Sequence, residues 1–125
     1  MQKESFEINE ELRFAQSVCV TSGDAKTIYV SGQVGESEGL RSQSIEVFTN
    51  LKNQLAAAGA QTTDVVKLTI YVVDYAPNKA DDVLAGIELF VTDLQQPPSA
   101  TMVGVQSLFL PNFLIEVEAV AVVAG

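Results

Sequence analysis

Apolar positions along the chain recur with two periods. Alternation of period two marks strands, and spacing of three to four marks helices. The longest alternating stretch is Leu114–Val123, where Ile115, Val117, Ala119, Ala121 and Val123 make one wholly apolar face. The opposite set is Leu114, Glu116, Glu118, Val120 and Val122. Two carboxylates therefore stand roughly 7 Å apart on an otherwise apolar strand face. A solvated antiparallel face normally carries more polar residues. Either a second layer or another subunit covers part of this face, placing Glu116 or Glu118 near whatever the protein binds, or both glutamates lie at a wet sheet edge.

The other elements follow the same logic. Phe6 and Ile8 alternate, which predicts a short strand around Glu4 to Ile8. The runs Ser17–Thr21 and Thr27–Val34 flank the turn residues Ser22-Gly23-Asp24 and read as a hairpin. Gly32 interrupts the second run, and a glycine inside a strand permits a bulge or a close approach by other atoms. Residues 35–40 form a polar loop. From Arg41 to Ala58, Val47, Phe48, Leu51, Leu55 and Ala58 share one helical face, with Gly59 at the position that ends a helix. Asn50, Lys52, Asn53 and Gln54 lie partly on its wet side.

Val65–Val73 is a strand in which Val66, Leu68, Ile70 and Val72 alternate with Lys67, Thr69 and Tyr71. A second helix runs from about Lys79 to Leu94 on the stripe Val83, Leu84, Ile87, Phe90, Val91 and Leu94, and the prolines Pro97 and Pro98 close it. Ser99–Gln106 is a strand before the final one. The order is β-β-α-β-α-β-β: a single α+β domain over residues 1–125, a two-layer sandwich with two helices on one face of an open sheet. The helices cover only one sheet face, so the apolar character of the other predicts burial between subunits.

Composition sharpens this picture. The chain is 47% hydrophobic and 18% charged, and its mean hydropathy of +0.22 is high for a small domain. The net charge is −9 with seven basic residues, which argues against nucleic acid as a partner. No run is long and apolar enough for a membrane span, and no basic-then-apolar leader is present, so the cytoplasm is the expected compartment. The single cysteine, Cys19, excludes an intrachain disulfide and reads as simple packing.

The absence of histidine removes Ser-His-Asp and Cys-His nucleophilic arrangements and histidine-based metal sites. Neither a metal nor a cofactor is expected. Acid–base chemistry falls to Asp, Glu, Lys, Tyr or Cys19. Lys67 is an amine candidate, but a solvated strand face is the preferred reading. Tyr71 and Tyr75 suit packing at a subunit interface. Asp81 and Asp82 suit the first turn of the second helix, where they favour the helix dipole.

Four stretches together carry a family resemblance. They are FAQSV at Phe14–Val18, IYVSGQVG at Ile28–Gly35, the run from Asn50 to Asp74 beginning NLKNQLAAAGA, and PPSATMVGV…LIEVEAVAV from Pro97 to Val122. In order and spacing the chain resembles the RidA/YjgF family, also called the endoribonuclease L-PSP family. The resemblance implies a chorismate-mutase-like fold and a homotrimer whose open sheet faces form an inner barrel. It also implies a small-molecule ligand in each of three intersubunit clefts, and hydrolysis of reactive enamines and imines such as 2-aminoacrylate.

The resemblance further implies site positions, several of them changed here. The arginine that grips the substrate carboxylate falls at Ala100, the cysteine two residues on at Met102, and the asparagine of the second helix at Val83. The tyrosine falls at Phe14, which keeps the ring and loses the hydroxyl. Ser31, Gly32 and the water-positioning Glu116 are retained. Guanidinium binds carboxylate bidentately and methyl offers no donor, so the frame persists without its carboxylate clamp. The set Ala100, Met102, Phe14, Val83 and Glu116 is expected to line one apolar cleft. Three functions follow: an enamine or imine deaminase acting on other substrates, a trimer that binds a small molecule or protein without turnover, and an endoribonuclease, which the acidity disfavours.

Overall fold

The computed structural model describes residues 1–124, which form one mixed six-stranded sheet with two helices packed on one face. The elements are β1 (Gln2–Asn9), β2 (Phe14–Ser22), β3 (Ala25–Gln33), α1 (Leu40–Ala57), β4 (Val65–Val73), α2 (Ala80–Phe90), β5 (Ser99–Val105) and β6 (Ile115–Ala124). The strand order is β1-β2-β3-β6-β4-β5. All neighbours are antiparallel except β4 and β5, which run parallel with α2 in the crossover between them. The sheet has one more strand than the seven-element order counts. The Phe6/Ile8 run joins it as edge strand β1, and Phe6 packs against the core.

The core lies between the helices and the inner sheet face. Ile115, Val117, Ala119 and Ala121 of β6 are all buried there, against Leu51 and Leu55 of α1 and Ile28 of β3. Gly59 adopts φ 89°. Gly59 N–H donates to Ala56 O and Ala60 N–H to Leu55 O, so the last carbonyls of α1 are satisfied. The helices meet at Gly86, whose N–H donates to Ser44 Oγ (3.1 Å) while that hydroxyl donates to Val83 O (2.7 Å). Beside this contact the Phe48 and Phe90 rings lie 5.3 Å apart.

Two expectations change. Helix α2 ends at Phe90, four residues before Leu94, because Val91 is already extended. Val91 and Thr92 are β-branched, and Asp93 Oδ1 accepts from the N–H groups of Gln95 and Gln96. That local turn competes with helix, and Leu94 is left exposed with no core to enter. In β4 the register with β6 slips between Val65 and Lys67. Val65 therefore faces the core together with Leu68, and Val66 turns outward.

Among the described residues no layer covers the second sheet face. Tyr29, Val103 and Val122 are exposed on it. Tyr29 stands opposite Val120, whose other neighbour is Lys67.

Candidate functional site

The site is built around a bulge in β3. The β3–β6 register shifts between Val30 and Gln33, leaving Ser31 and Gly32 out of the regular ladder. The bulge is pinned from both sides: Ser31 Oγ donates to Ala15 O at 2.7 Å. Buried Gln33 donates through Nε2 to Ser31 O (2.9 Å) and to Gln16 Oε1 (3.0 Å). Glu116 lies on the uncovered face of β6, opposite Tyr71 of β4, and its side chain crosses directly over Gly32. A Cβ placed on Gly32 would fall 2.8 Å from Glu116 Cγ and closer still to the carboxylate. Glycine leaves that space to the carboxylate, and a side chain at this position would displace it. The bulge and the close approach foreseen from the sequence thus occur at the same residue.

Glu116 opens into a recess of about 590 Å³. Leu12, Phe14 and Val34 form one wall, and Phe109, Leu110 and Phe113 of the β5–β6 loop form the other. Ser31 and Gly32 form part of its floor. Burial raises the Glu116 pKa above the ordinary carboxylate value, and the charge of Glu118 adds to the effect. Glu118 is satisfied differently, since Tyr71 donates its hydroxyl to Glu118 Oε1 at 2.5 Å. That bond, before any other cause, raises the Tyr71 pKa. Among the described residues, no hydrogen bond engages the Glu116 carboxylate. One ion pair is present among them, between exposed Arg41 and Asp82 at 3.9 Å, away from this face.

The loops framing the recess are held by polar residues of α1. Gln43 is buried; it donates to Ser37 O (3.0 Å) and Asn112 O (2.8 Å) and accepts from Leu114 N–H (2.9 Å). Glu46 Oε1 accepts from the N–H groups of Glu36 and Ser37, and hydrogen bonding from Ser37 holds its pKa below the usual value. Asn50 donates to Val34 O at 3.1 Å. The sequence reading assigned Asn50 to a wet face and passed over Gln43 and Glu46. A signal was present: Gln43 and Ser44 fall four residues before Val47 and Phe48, in register with the apolar stripe.

Ala100, Met102 and Val83 gather elsewhere. In the parallel register Ala100 stands beside Leu68 and Met102 beside Ile70, on the helical side of the sheet. With Val83, Leu84 and Ile87 of α2 they line an apolar recess of about 290 Å³. Within a single chain the set expected to line one cleft divides between two recesses. Phe14, Ser31, Gly32 and Glu116 form one recess, and Val83, Ala100 and Met102 form another on the opposite face. The register decides this, because Glu116 pairs with Tyr71 on one face while Leu68 and Ile70 carry Ala100 and Met102 to the other. The two groups can share a cleft only across a boundary between chains.

No lysine or arginine lines either recess. Lys67 is exposed beside Thr69 and Glu118, outside both. Cys19 is buried in the core. Among the described residues no three Cys, Asp or Glu side chains converge as metal donors, and no helix is long and apolar enough to cross a membrane.

Known proteins resemble this chain in sequence and in fold. The family model described as endoribonuclease L-PSP matches residues 7–123. A RutC family protein of Aquifex aeolicus is 33% identical over 102 residues, covering 76% of this chain and 79% of that protein. A 2-iminobutanoate/2-iminopropanoate deaminase of Dermatophagoides farinae is 30% identical over 106 residues, covering 78% of each. Among solved structures, a YjgF/YER057c/UK114 family member from Mycobacterium tuberculosis aligns with a TM-score of 0.81 at 25% identity, over 98% of this chain and 100% of that one. The Rid family protein YyfB of Yersinia pestis aligns at 0.72 and 33% identity, with the same coverage. With the family model matched over residues 7–123, this chain belongs to the RidA/YjgF family, the endoribonuclease L-PSP family.

Proposed function

We propose that the protein is a homotrimer in which the Glu116 recess of one subunit meets the Ala100/Met102 recess of the next, and that this cleft hydrolyses enamines or imines other than 2-aminoacrylate-type imino acids. The observation that carries the reading is Glu116: its carboxylate lies over Gly32, unengaged, in an apolar recess with a raised pKa. A carboxyl group so placed suits proton transfer to and from a bound ligand. The relative in Dermatophagoides farinae, named for imino-acid deamination, supports the reaction class. Ala100 and the apolar linings argue against its substrates.

The chemistry is balanced with one such group. As a carboxylate, Glu116 accepts a proton from water while the water oxygen attacks the imine carbon and the C=N π electrons move to nitrogen. The protonated carboxyl then returns the proton to nitrogen. The carboxylate next takes the hydroxyl proton of the carbinolamine and delivers it to nitrogen as the C–N bond breaks and the C=O bond forms, and ammonia leaves. Glu116 is the only titratable side chain lining either recess, so it must serve in both directions. The same fact supports a second reading, a trimer that binds its ligand without turnover. Endoribonuclease activity finds no support, since neither recess offers a cation to a phosphate.

The test is ammonia release from carboxylate-free imines generated in situ, comparing wild type with Glu116→Gln. Turnover above the spontaneous rate that the variant loses supports the enzyme. Saturable binding with no turnover supports the binding trimer, and neither turnover nor binding sinks both.

A further inference from the structure

The walls of the Glu116 recess narrow the ligand class. Three phenylalanine rings and two leucines surround a single formal charge, the Glu116 carboxylate. Leu12 and Phe109 are 51% and 73% exposed, so a ligand that covers them gains apolar burial. Glu118 lies two residues along the same strand, adding a second negative charge nearby. No basic side chain lines the recess, and the Ala100 recess proposed to complete it brings none. Arg13 sits between Leu12 and Phe14 in the β1–β2 turn, exposed and outside the lining. The whole chain carries a net charge of −9.

An anion entering this recess meets like charge and unpaired desolvation. A cation meets a carboxylate and aromatic side chains, both of which can attract it. A volume of about 590 Å³ is within the usual range for small-molecule pockets and accommodates a ring or a branched chain. We infer that the recess selects amphiphilic cations: a protonated amine or iminium bearing an aromatic or branched apolar group and no carboxylate. The inference rests on the reading of this recess as a ligand site, and it inverts the charge preference of a site built around a guanidinium.

Calorimetric titration of the full chain with matched probes tests it. The probes are 2-phenylethylammonium, 2-phenylethanol, 3-phenylpropanoate and methylammonium. The ring-bearing cation should bind about tenfold or more tighter than the alcohol, the usual scale for a charged hydrogen bond. The carboxylate should be the weakest of the three aromatic probes. Methylammonium should bind far more weakly than the ring-bearing cation. Glu116→Gln should erase the preference for cation over alcohol, with circular dichroism confirming the fold. Phe109→Ser, at an exposed position, should weaken 2-phenylethylammonium and leave methylammonium unchanged. Carboxylate binding as tight as the amine, a cation preference that survives Glu116→Gln, or no binding of any probe at millimolar concentration overturns the inference. Failure of the deaminase reading looks different: the cation preference would persist while no imine released ammonia.

Discussion

Replacing Gly32 with alanine separates site from scaffold. The new Cβ would stand 2.5 Å from Glu116 Cδ and 2.8 Å from Cγ, against an ordinary carbon contact of about 3.5–4.0 Å. The carboxylate must therefore move by roughly 1 Å or more. Nothing holds it in place, since no hydrogen bond among the described residues engages it, and it borders open space. A forced rotamer change costs about 0.5–1.5 kcal/mol. Gly32 is not among the glycines with positive φ, so alanine restricts the unfolded chain and returns about 0.4–1 kcal/mol. The net change in stability should stay within about 1 kcal/mol, or roughly 3–4 °C in Tm. A misplacement of about 1 Å at a reacting group, by contrast, can cost on the order of 100-fold in rate.

Gly86→Ala is the control, because there the obstacle is rigid. A Cβ on Gly86 would meet the Ser44 backbone oxygen, Ser44 Oγ at 2.5 Å and the Phe48 ring at 2.6 Å, within the helix–helix contact. Overpacking plus a disturbed buried hydrogen bond should cost about 2–4 kcal/mol. Thermal melts and ligand titrations on both variants give the comparison. Gly32→Ala should melt near wild type and lose ligand affinity or turnover at least about tenfold, whereas Gly86→Ala should melt much lower. Wild-type ligand handling by folded Gly32→Ala would refute the placement of Glu116, as would equal destabilisation by both variants.

Light scattering at micromolar concentration should give a mass of three chains, because the apolar outer sheet face needs a cover; a stable monomer would refute the shared cleft. Single-stranded RNA should not bind detectably at about 0.15 M salt, given the charge balance; sub-micromolar binding with a steep salt slope would contradict that. Glu116 also predicts a pH dependence. Its folded-state pKa is raised by burial and by Glu118, so the folded chain holds more protons than the unfolded one between the ordinary carboxylate pKa and the raised value. Stability falls as pH rises through that window. Glu116→Gln should therefore raise Tm at neutral pH and make little difference below about pH 4; the opposite trend would show that Glu116 is stabilised as a carboxylate.

Most of the architecture could be read from periodicity. Strand β6 shows why: ten residues of strict alternation tie one face to the core and leave no other register. The misses came from effects outside the period. Val66 fits the alternation, yet a slipped register turned it outward and sent Val65 in. Leu94 fits the helical stripe, yet the Asp93 turn offered the backbone another partner and the core ended at Phe90. Gly32 announced a close approach without naming what approaches. The division of the site into two recesses depends on strand order. Ala100 and Met102, two residues apart, share one face of β5. Which face matches Glu116 follows only from knowing that β4 lies between β5 and β6. The clamp from Gln43 joins loops far apart in the chain, at Ser37 and at Asn112, and no local pattern reports such a pair.

If Glu116 acts in the proposed cleft, a substrate carboxylate finds no cation there, because neither recess is lined by lysine or arginine. The direct measurement is ammonia release from 2-iminopropanoate generated in situ, by wild type, Ala100→Arg and Ala100→Arg/Glu116→Ala. An unpaired carboxylate in an apolar cleft costs on the order of 2–5 kcal/mol, or roughly 30- to 5,000-fold in affinity. Wild type should show negligible hydrolysis, Ala100→Arg should recover part of it, and the double variant should lose it again. Wild-type turnover equal to that of an arginine-bearing relative would contradict the account.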